Sequence, residues 1–349
     1  MVSSRPLAVS RINKEAFMKV ILLLDSRGFG GIESHVMQLA FGLKAHRQAV
    51  EVWLLKDYGR HPLSNKLQQQ GITMDHVNGG IRALYRKLAT QTDAIVHSHG
   101  YKAGIASRLV CKILSIRCFS TFHAGERGRG KMAIYQWLDE HTAGLATSVF
   151  AVSQPIKLRL PANCELVNNF IHLPPWPMQL GHEVAFVGRL SDEKAPHRLL
   201  SMAQALPECH YAFYGDGPLL SHLRPAAPEN VSFYGQQTNM EARWKNIQVL
   251  IICSRQEGLP MVAIEAMARG IIVIAFELGA LANLIDDGIN GWLVAGQNPA
   301  DLTLKLHAWR QLSTPQQARM RQQARHKVAQ TFSDSAVIPQ LLRRYHAAF

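Results

Sequence analysis

Two glutamates eight residues apart stand out among the carboxylates of this 349-residue sequence. Glu257 and Glu265 lie in the segment SRQEGLPMVAIEAMARG (254–270), where Pro260 suits the first position of a helix. A carboxylate among so many apolar residues is costly unless it meets hydrogen-bond donors, and sugar hydroxyls are such donors. An ordinary helical ion pair of Glu265 with Arg269 is the alternative interpretation.

Two cations follow an apolar run in the same half of the chain. In the segment FVGRL, Arg189 comes directly after Gly188, and Lys194 follows five residues later. A guanidinium fork and an ammonium group at the end of a strand suit a diphosphate. Because exposed Arg and Lys are common, the pair alone is also consistent with an ordinary surface.

A glycine-rich loop follows the first apolar run, KVILLLD. It contains Gly30 and Gly31, which would let the backbone of a helix N-terminus approach a phosphate. A tight strand-to-helix turn would explain the same residues. The spacing does not match G-x-G-x-x-G, so a nicotinamide or flavin site is not supported.

Histidines end two of the predicted strands in the first half of the chain. His97 and His99 end the run DAIVHSH and, being two residues apart, share one face of the strand. His123 closes the next strand, and a basic loop with Arg127 and Arg129 follows it. A histidine at the rim of a sheet is often only a core residue, so this observation leaves the role open.

The elements that must position these residues follow the pattern of wound parallel α/β sheets. Short apolar runs alternate with amphipathic helical stretches, and ligands of such sheets bind beyond the carboxyl ends of the strands. The predicted strands are 19–25, 51–55, 93–97, 117–122 and 148–152 in the first half, and 183–187, 209–214, 230–234, 248–253 and 271–276 in the second.

Two domains of similar size are the predicted organisation, because one core rarely grows to this length. Met18, directly before the first strand, is an alternative start of the chain. The predicted parts are a disordered extension at 1–17, a Rossmann-like domain at 18–172, a Pro-rich linker at 173–182, a second Rossmann-like domain at 183–332, and a helix at 333–349 that packs back on the first domain.

The charge of the chain is strongly positive and unevenly distributed. The formal net charge is +13, and residues 1–180 carry 22 basic against 11 acidic side chains. This favours an acidic partner of the first half, namely nucleic acid, a phosphorylated compound or an anionic membrane face, although a merely solubilising surface is the alternative. The five cysteines have no C-x-x-C spacing and indicate reduced thiols in a cytosolic protein.

Taken in order, these segments resemble the retaining nucleotide-sugar glycosyltransferases of GT-B fold, glycosyltransferase family 4 in particular. The similarity runs from about Lys19 to the C-terminus. It rests on the glycine pair, the His-x-His strand end, FVGRL with the following EK, YGDGPL, VSFYG and E-G-L-P-x-x-x-x-E-A-M-A-x-G. The last element is the most specific. The resemblance implies two Rossmann-like domains that face each other across a cleft.

The resemblance also implies roles for individual residues. Arg189 and Lys194 would hold the donor diphosphate, and Glu257 and His99 would lie near the transferred sugar. Glu265 would bind the ribose hydroxyls. The donor-binding residues so implied are Gly30, Gly31, Gly188, Gly258, Leu259, Pro260, Met261, Val262 and Glu265, and the residues assigned to the acceptor side are His123, Arg127 and Arg129.

Two positions depart from the family pattern. The family often has Lys-Gly where this chain has Lys194-Ala195, and commonly has a glutamate where this chain has Asn283. The first departure alters the loop beside the diphosphate. The second puts the role of that position in doubt.

The activity implied is transfer of a sugar from a nucleotide-diphosphate donor to a glycan or lipid-linked acceptor of a bacterial surface polysaccharide, such as lipopolysaccharide. No Asp-x-Asp cluster follows a strand, so no metal and no cofactor are expected. The cytoplasmic face of the inner membrane, bound peripherally, is the expected location. A non-hydrolysing sugar-nucleotide epimerase is the alternative within this fold, and a nucleic-acid-binding protein, indicated by charge alone, is the alternative of another class.

Overall fold

The computed structural model describes residues 18–123, 130–161, 163–176, 181–237 and 239–348. The extension predicted at 1–17 and the predicted acceptor-side residues Arg127 and Arg129 lie outside the described residues. The chain divides into two compact units, of which one is Met1–Asn168 with Asp334–Phe349 and the other is Asn169–Ser333.

The first unit is built on a seven-stranded, fully parallel sheet in the order β3-β2-β1-β4-β5-β6-β7. An interior strand of this sheet, between β2 and β4, carries five consecutive apolar residues, Val20 to Leu24, that are almost completely buried. Such runs belong to strands covered on both faces by helices. The strands are β1 (Lys19–Leu24), β2 (Ala49–Leu54), β3 (Thr73–His76), β4 (Ala94–His99), β5 (Arg117–Phe122), β6 (Ser148–Ala151) and β7 (Cys164–Leu166).

Helices connect these strands, and the last helix of the chain also belongs to this unit. The helices described in this unit are α1 (Gly31–Ala45), α2 (Pro62–Gln69), α3 (Gly80–Ala89), α4 (Tyr101–Leu114), α5 (Lys131–Thr142), a 3₁₀ turn (Ala143–Leu145), α6 (Gln154–Lys157) and α14 (Asp334–Ala347).

The second unit has a six-stranded parallel sheet in the order β10-β9-β8-β11-β12-β13. Its strands are β8 (Glu183–Val187), β9 (Tyr211–Tyr214), β10 (Val231–Gly235), β11 (Ile247–Ile252), β12 (Ile272–Phe276) and β13 (Trp292–Val294). Its helices are α7 (His197–Ala205), α8 (Leu220–Leu223), α9 (Glu241–Trp244), α10 (Met261–Met267), α11 (Leu281–Leu284), α12 (Pro299–Gln311) and α13 (Thr314–Thr331).

The predicted fold class, two wound parallel α/β sheets, is confirmed. The division between the units falls after Asn168, a few residues before the segment predicted as a linker. Ile171 explains this difference, because its N–H donates to the Phe332 carbonyl at 3.0 Å and it forms a parallel bridge with Ser333. These contacts place 169–172 with the second unit. Residues 177–180 of the expected linker lie outside the described part of the chain.

The helix α14 completes the core of the first unit. It lies close to α1, where a Cβ added to Gly42 would come within 2.7 Å of the Ile338 side chain. The fully buried Tyr345 places its Oη 2.6 Å from His97 Nδ1, and His97 Nε2 lies 2.7 Å from Thr121 Oγ1. Both ring nitrogens of His97 are therefore bonded, which makes it a packed core residue.

Replacing Tyr345 with phenylalanine should destabilise the first unit by about 1–3 kcal/mol, because the buried His97 Nδ1 loses its partner. Chemical unfolding of the whole chain, followed by fluorescence and circular dichroism, measures the change. Tyr85→Phe is the matched control, since Tyr85 on α3 is 42% exposed and its loss should change the unfolding free energy by less than about 0.5 kcal/mol. Equal unfolding free energies for the two variants would show that the His97 bond contributes nothing.

Candidate active site

The turns after β8 and β9 lie against each other so closely that only glycine fits. A Cβ on Gly215, whose φ is +149°, would lie 1.8 Å from the Gly188 carbonyl oxygen. The Leu190 N–H donates to the Asp216 carbonyl at 2.9 Å, and Leu190 is fully buried. Arg189, between Gly188 and this anchor, is exposed. The packed turns therefore fix the backbone that carries Arg189 at the carboxyl end of β8.

Lys194 and Glu257, two of the predicted catalytic residues, are in direct contact. Lys194 Nζ donates to both carboxylate oxygens of Glu257, at 2.7 and 2.8 Å, and Ser254 Oγ donates to Glu257 Oε1 at 2.6 Å. The Glu257 side chain is 8% exposed and that of Lys194 is 29% exposed. A carboxylate this buried requires such donors, so the ammonium group and the hydroxyl hold it in place.

The buried Arg198 on α7 holds the loop that leads to Glu257. Its Nη1 donates to the Cys253 carbonyl at 2.8 Å, its Nη2 donates to Gln297 Oε1 at 3.0 Å, and its guanidinium lies 5.1 Å from the centre of the Phe276 ring. Burial lowers the pKa of Arg198. The sequence analysis missed this residue, for which the available signal was an arginine directly before the apolar pair Leu199 and Leu200.

The main chain of the Gly-Leu-Pro segment is fixed from two further sides. Asn169 Nδ2 donates to the Leu259 carbonyl at 2.6 Å, and the Ala280 N–H donates to the Gly258 carbonyl at 2.8 Å. The side chain of Leu259 is buried, so only the main-chain groups of this residue can contact a ligand. Met261 likewise is buried, whereas Gly258, Pro260 and Val262 are half-buried.

The helix after this segment begins one residue later than predicted. Pro260 is the residue before α10, with φ −69° and ψ 126°, and Met261 is the first helical residue. Glu265 lies half-buried inside α10. Arg269 donates to the main-chain oxygen of Glu265 at 2.7 Å and pairs with the Glu241 carboxylate. The arginine of the predicted i, i+4 pair is thus bonded to the main chain of Glu265 and paired with the carboxylate of Glu241.

The predicted glycine pair of the first unit lies at the start of α1. The Gly30 N–H donates to Glu33 Oε2 at 2.8 Å, and both Gly30 and Gly31 are exposed. A Cβ on Gly31 would meet no atom within 4 Å. Packing within the described residues therefore does not require a glycine at position 31. The space beside the backbone at the start of the helix is open.

Histidines from three elements gather at the carboxyl edge of the first sheet. His99 Nδ1, at the end of β4, lies 3.1 Å from Nε2 of His123, which follows β5. The His35 ring, on α1, lies 4.6 Å from that of His123 and 5.4 Å from that of His99. His35 was missed because a histidine inside an amphipathic helix gives no sign of where it points.

Burial disfavours the charged form of His97, His99 and His123. Burial lowers the pKa of His97 to about 3, and lowers the pKa of His99 and of His123 well below the usual range, with the neighbouring histidines adding to the effect. His97 and His99 do share one face of β4, as predicted, with ring centres 4.4 Å apart. His97 is tied into the core, whereas His99 faces His35 and His123.

Two family models match the chain in order, one on each unit. Residues 29–172 match the model described as glycosyltransferase family 4, and residues 181–309 match the model described as glycosyl transferases group 1. The chain belongs to the family 4 glycosyltransferases. This membership confirms the resemblance drawn from the E-G-L-P segment and the strand-end residues.

Curated members of the family match parts of the chain. The D-inositol 3-phosphate glycosyltransferase of Mycolicibacterium vanbaalenii is 35% identical over 34% of this chain, and the O-antigen biosynthesis glycosyltransferase WbnH of Escherichia coli is 26% identical over 55% of it. The matches span 31% and 60% of the length of those two proteins.

Solved structures match the family 4 chain over nearly its whole length. Anabaena HepE in complex with UDP and glucose has a TM-score of 0.81 at 19% identity, covering 95% of this chain and 100% of that one. Sucrose-phosphate synthase from Thermosynechococcus elongatus has a TM-score of 0.78 at 17% identity, with coverage of 95% and 100%. At these identities the similarity shows the GT-B fold.

The two departures from the family pattern lie in different environments. Ala195, where the family often has glycine, is fully buried and adopts a φ of +47°, a left-handed conformation that glycine accepts more readily. An alanine in this conformation carries a conformational cost that a glycine at the same position would not. Asn283, on α11, is exposed.

No helix among the described residues is both long enough and apolar enough to cross a membrane.

Gly279→Ala should destabilise the second unit by about 2 kcal/mol more than Gly288→Ala. Both glycines have positive φ, +57° and +73°, so both substitutions strain the backbone. Only at Gly279 would the new Cβ collide with main chain, 2.1 Å from the Glu257 carbonyl oxygen and 2.2 Å from that of Gly258, whereas Gly288 has no atom within 4 Å.

Chemical unfolding of both variants and of the unaltered chain measures this difference. If Gly279→Ala costs no more than Gly288→Ala, then the close contact with the Glu257 loop is not a constraint on the fold.

Proposed function

We propose that this family 4 chain is a retaining glycosyltransferase that moves a sugar from a nucleoside diphosphate to a glycan or lipid-linked acceptor without a metal ion. One observation carries the proposal. Within the unit that matches the group 1 model, the Lys194–Glu257 pair lies in the loops that follow β8 and β11, and the exposed Arg189 follows β8.

The donor side of the proposal is electrostatic. A departing nucleoside diphosphate gains negative charge, and fixed cations and main-chain N–H groups are the groups that stabilise it. Arg189 is free to reach solvent-side phosphate oxygens, and Lys194 adds charge while it holds Glu257. Gly188 and the main chain from Gly258 to Val262 would provide the N–H groups. Because Arg and Lys supply this charge, no metal is assigned to the step.

Retention of configuration follows from attack on the face that the leaving phosphate occupies. The bond between C1 of the sugar and the phosphate oxygen breaks, the acceptor oxygen bonds to C1, and the acceptor proton passes to the departing phosphate oxygen. Glu257 is already bonded to Lys194 and Ser254, so it suits a hydrogen bond to a sugar hydroxyl better than a nucleophilic attack. Glu265 would bind the ribose, and His99 would lie near the sugar from the first unit.

The identity of the donor is proposed from a structural relative. Anabaena HepE has been solved with UDP-glucose, which makes a uridine diphosphate sugar the first donor to test. Thermal shift with UDP, GDP and ADP separates the bases, since a ligand at 100 times its Kd adds about 2.7 kcal/mol of stability.

The acceptor is proposed to be acidic. The first 180 residues carry twice as many basic as acidic side chains, and the named relatives act in O-antigen biosynthesis or on inositol 3-phosphate. We place the chain in bacterial surface-glycan synthesis, lipopolysaccharide-type, at the cytoplasmic face of the inner membrane through peripheral contact. His123, Arg127 and Arg129 would serve the acceptor. No specific nucleic acid is proposed as a partner.

Arg189→Ala and Glu257→Gln should each lower turnover by about 100-fold or more, as removal of one transition-state donor does elsewhere. Release of the nucleoside diphosphate from the donor identified by thermal shift measures turnover. Arg319→Ala, an exposed arginine on α13, is the matched control and should keep full turnover. Turnover should also not fall in the presence of EDTA.

Full turnover in both site variants would contradict the assigned residues, and loss of turnover in EDTA would contradict metal independence. NMR of the nucleotide sugar incubated without acceptor tests the epimerase alternative, because an epimer would appear only if that alternative were correct.

Transfer to a phosphorylated acceptor should weaken as the salt concentration rises, because the positive charge of the first unit is then screened. Rates measured at several salt concentrations with a phosphorylated acceptor and its uncharged analogue test this. An uncharged soluble acceptor that is used equally well at every salt concentration would contradict the proposed acidic acceptor.

A further inference from the structure

Three histidines of the first unit have the arrangement of a metal-binding set. His35, His99 and His123 come from three different elements, and one potential ligand nitrogen from each lies within 4.8 Å of the other two. His35 and His99 are each 1% exposed, and His123 is half-buried. The set is therefore closed to solvent at His35 and His99 and is partly accessible to solvent at His123.

A second observation concerns His99 itself. Its Nδ1 meets His123, but its Nε2 is buried and has no hydrogen-bond partner among the described residues. A buried polar nitrogen without a partner costs free energy, and each such atom in a folded protein calls for an explanation such as an unseen ion or water. The described side chains therefore provide no hydrogen-bond partner for His99 Nε2.

A fourth histidine lies beside the set but does not belong to it. The neighbouring His97 does not compete, because both of its nitrogens are bonded to Tyr345 and Thr121. It packs against the His99 ring and restrains its orientation.

The ligand type selects the class of ion. The set contains imidazole nitrogen alone, which suits zinc and the other late first-row ions, copper and nickel among them, whereas magnesium and calcium require oxygen ligands. A tetrahedral zinc site has Zn–N bonds of about 2.0–2.1 Å, so its nitrogens lie about 3.4 Å apart. Because the three nitrogens lie within 4.8 Å of one another, their separations would have to contract by about 1.4 Å at most to reach this geometry.

We infer that His35, His99 and His123 form a three-histidine site for a divalent ion of the zinc class, with an open fourth position at the His123 end. The site lies in the first unit and is separate in its residues from the Lys194–Glu257 pair, so transfer does not require the ion. Since His99 is also assigned near the sugar, an ion bound there would inhibit transfer. That consequence alone rests on the proposed function.

Direct binding of Zn²⁺ and Co²⁺ to the full chain tests the site. Titration calorimetry of protein first treated with EDTA and then freed of it should show one Zn²⁺ per chain, and Co²⁺ should give the visible absorption of a four-coordinate site. His35→Ala and His123→Ala should each weaken binding by at least about 10-fold, since even a lost outer-shell partner costs that much. His307→Ala, an exposed histidine on α12, is the control and should bind as the unaltered chain does.

His123→Cys keeps a ligand and separates metal binding from folding. This variant should still bind Co²⁺ and should add the near-ultraviolet absorption of a thiolate–cobalt bond, whereas His123→Ala should not. Circular dichroism of the metal-free variants confirms that they are folded. Absence of a stoichiometric Zn²⁺ in the folded, unaltered chain, or equal affinity in His123→Ala, would overturn the inference, whatever the outcome of the turnover assays.

Discussion

The bidentate contact between Lys194 and Glu257 is the interaction on which the rest of the second unit's site depends. A carboxylate with so little exposure is stable only with its donors in place, and those donors stay in place only if two loops keep their shape. Gly215 packed on Gly188, Gly279 packed on the Glu257 loop, and the guanidinium of Arg198 beneath it hold that shape. The residues that hold the loops are thus as necessary to the site as the two charged groups.

Much of the fold could be predicted because long apolar runs mark the central strands. The strands that escaped prediction lack such runs. The strand β3 reads TMDH and its residues are partly or fully exposed, while β7 and β13 have three residues each. An edge strand of this kind is defined by its pairing with a neighbour, β2 in the case of β3, and not by its own composition.

Site residues could be predicted where a chemically suitable side chain follows the end of a strand. They could not be predicted where the role of a side chain depends on partners that it meets only in the folded core. His99 ends a predicted strand run, and Arg189, Lys194 and Glu257 follow the ends of such runs within two to seven residues. Arg198 and Asn169 hold the same loop across 55 and 90 residues of sequence, and His35 meets His123 only through the packing of a helix on a sheet. Nothing local distinguishes such side chains from ordinary polar residues, because their partners are far away in the chain.

The membership of α14 in the first unit has a consequence for how the protein is made. The partner of His97, Tyr345, is among the last residues of the chain, and every residue of the second unit is synthesised before it. The second unit is continuous and can fold as it leaves the ribosome, since domains generally fold as units. The first unit must wait, with part of its core open, until α14 has been made. The contact between His97 and Tyr345 can thus form only after the whole second unit has been made.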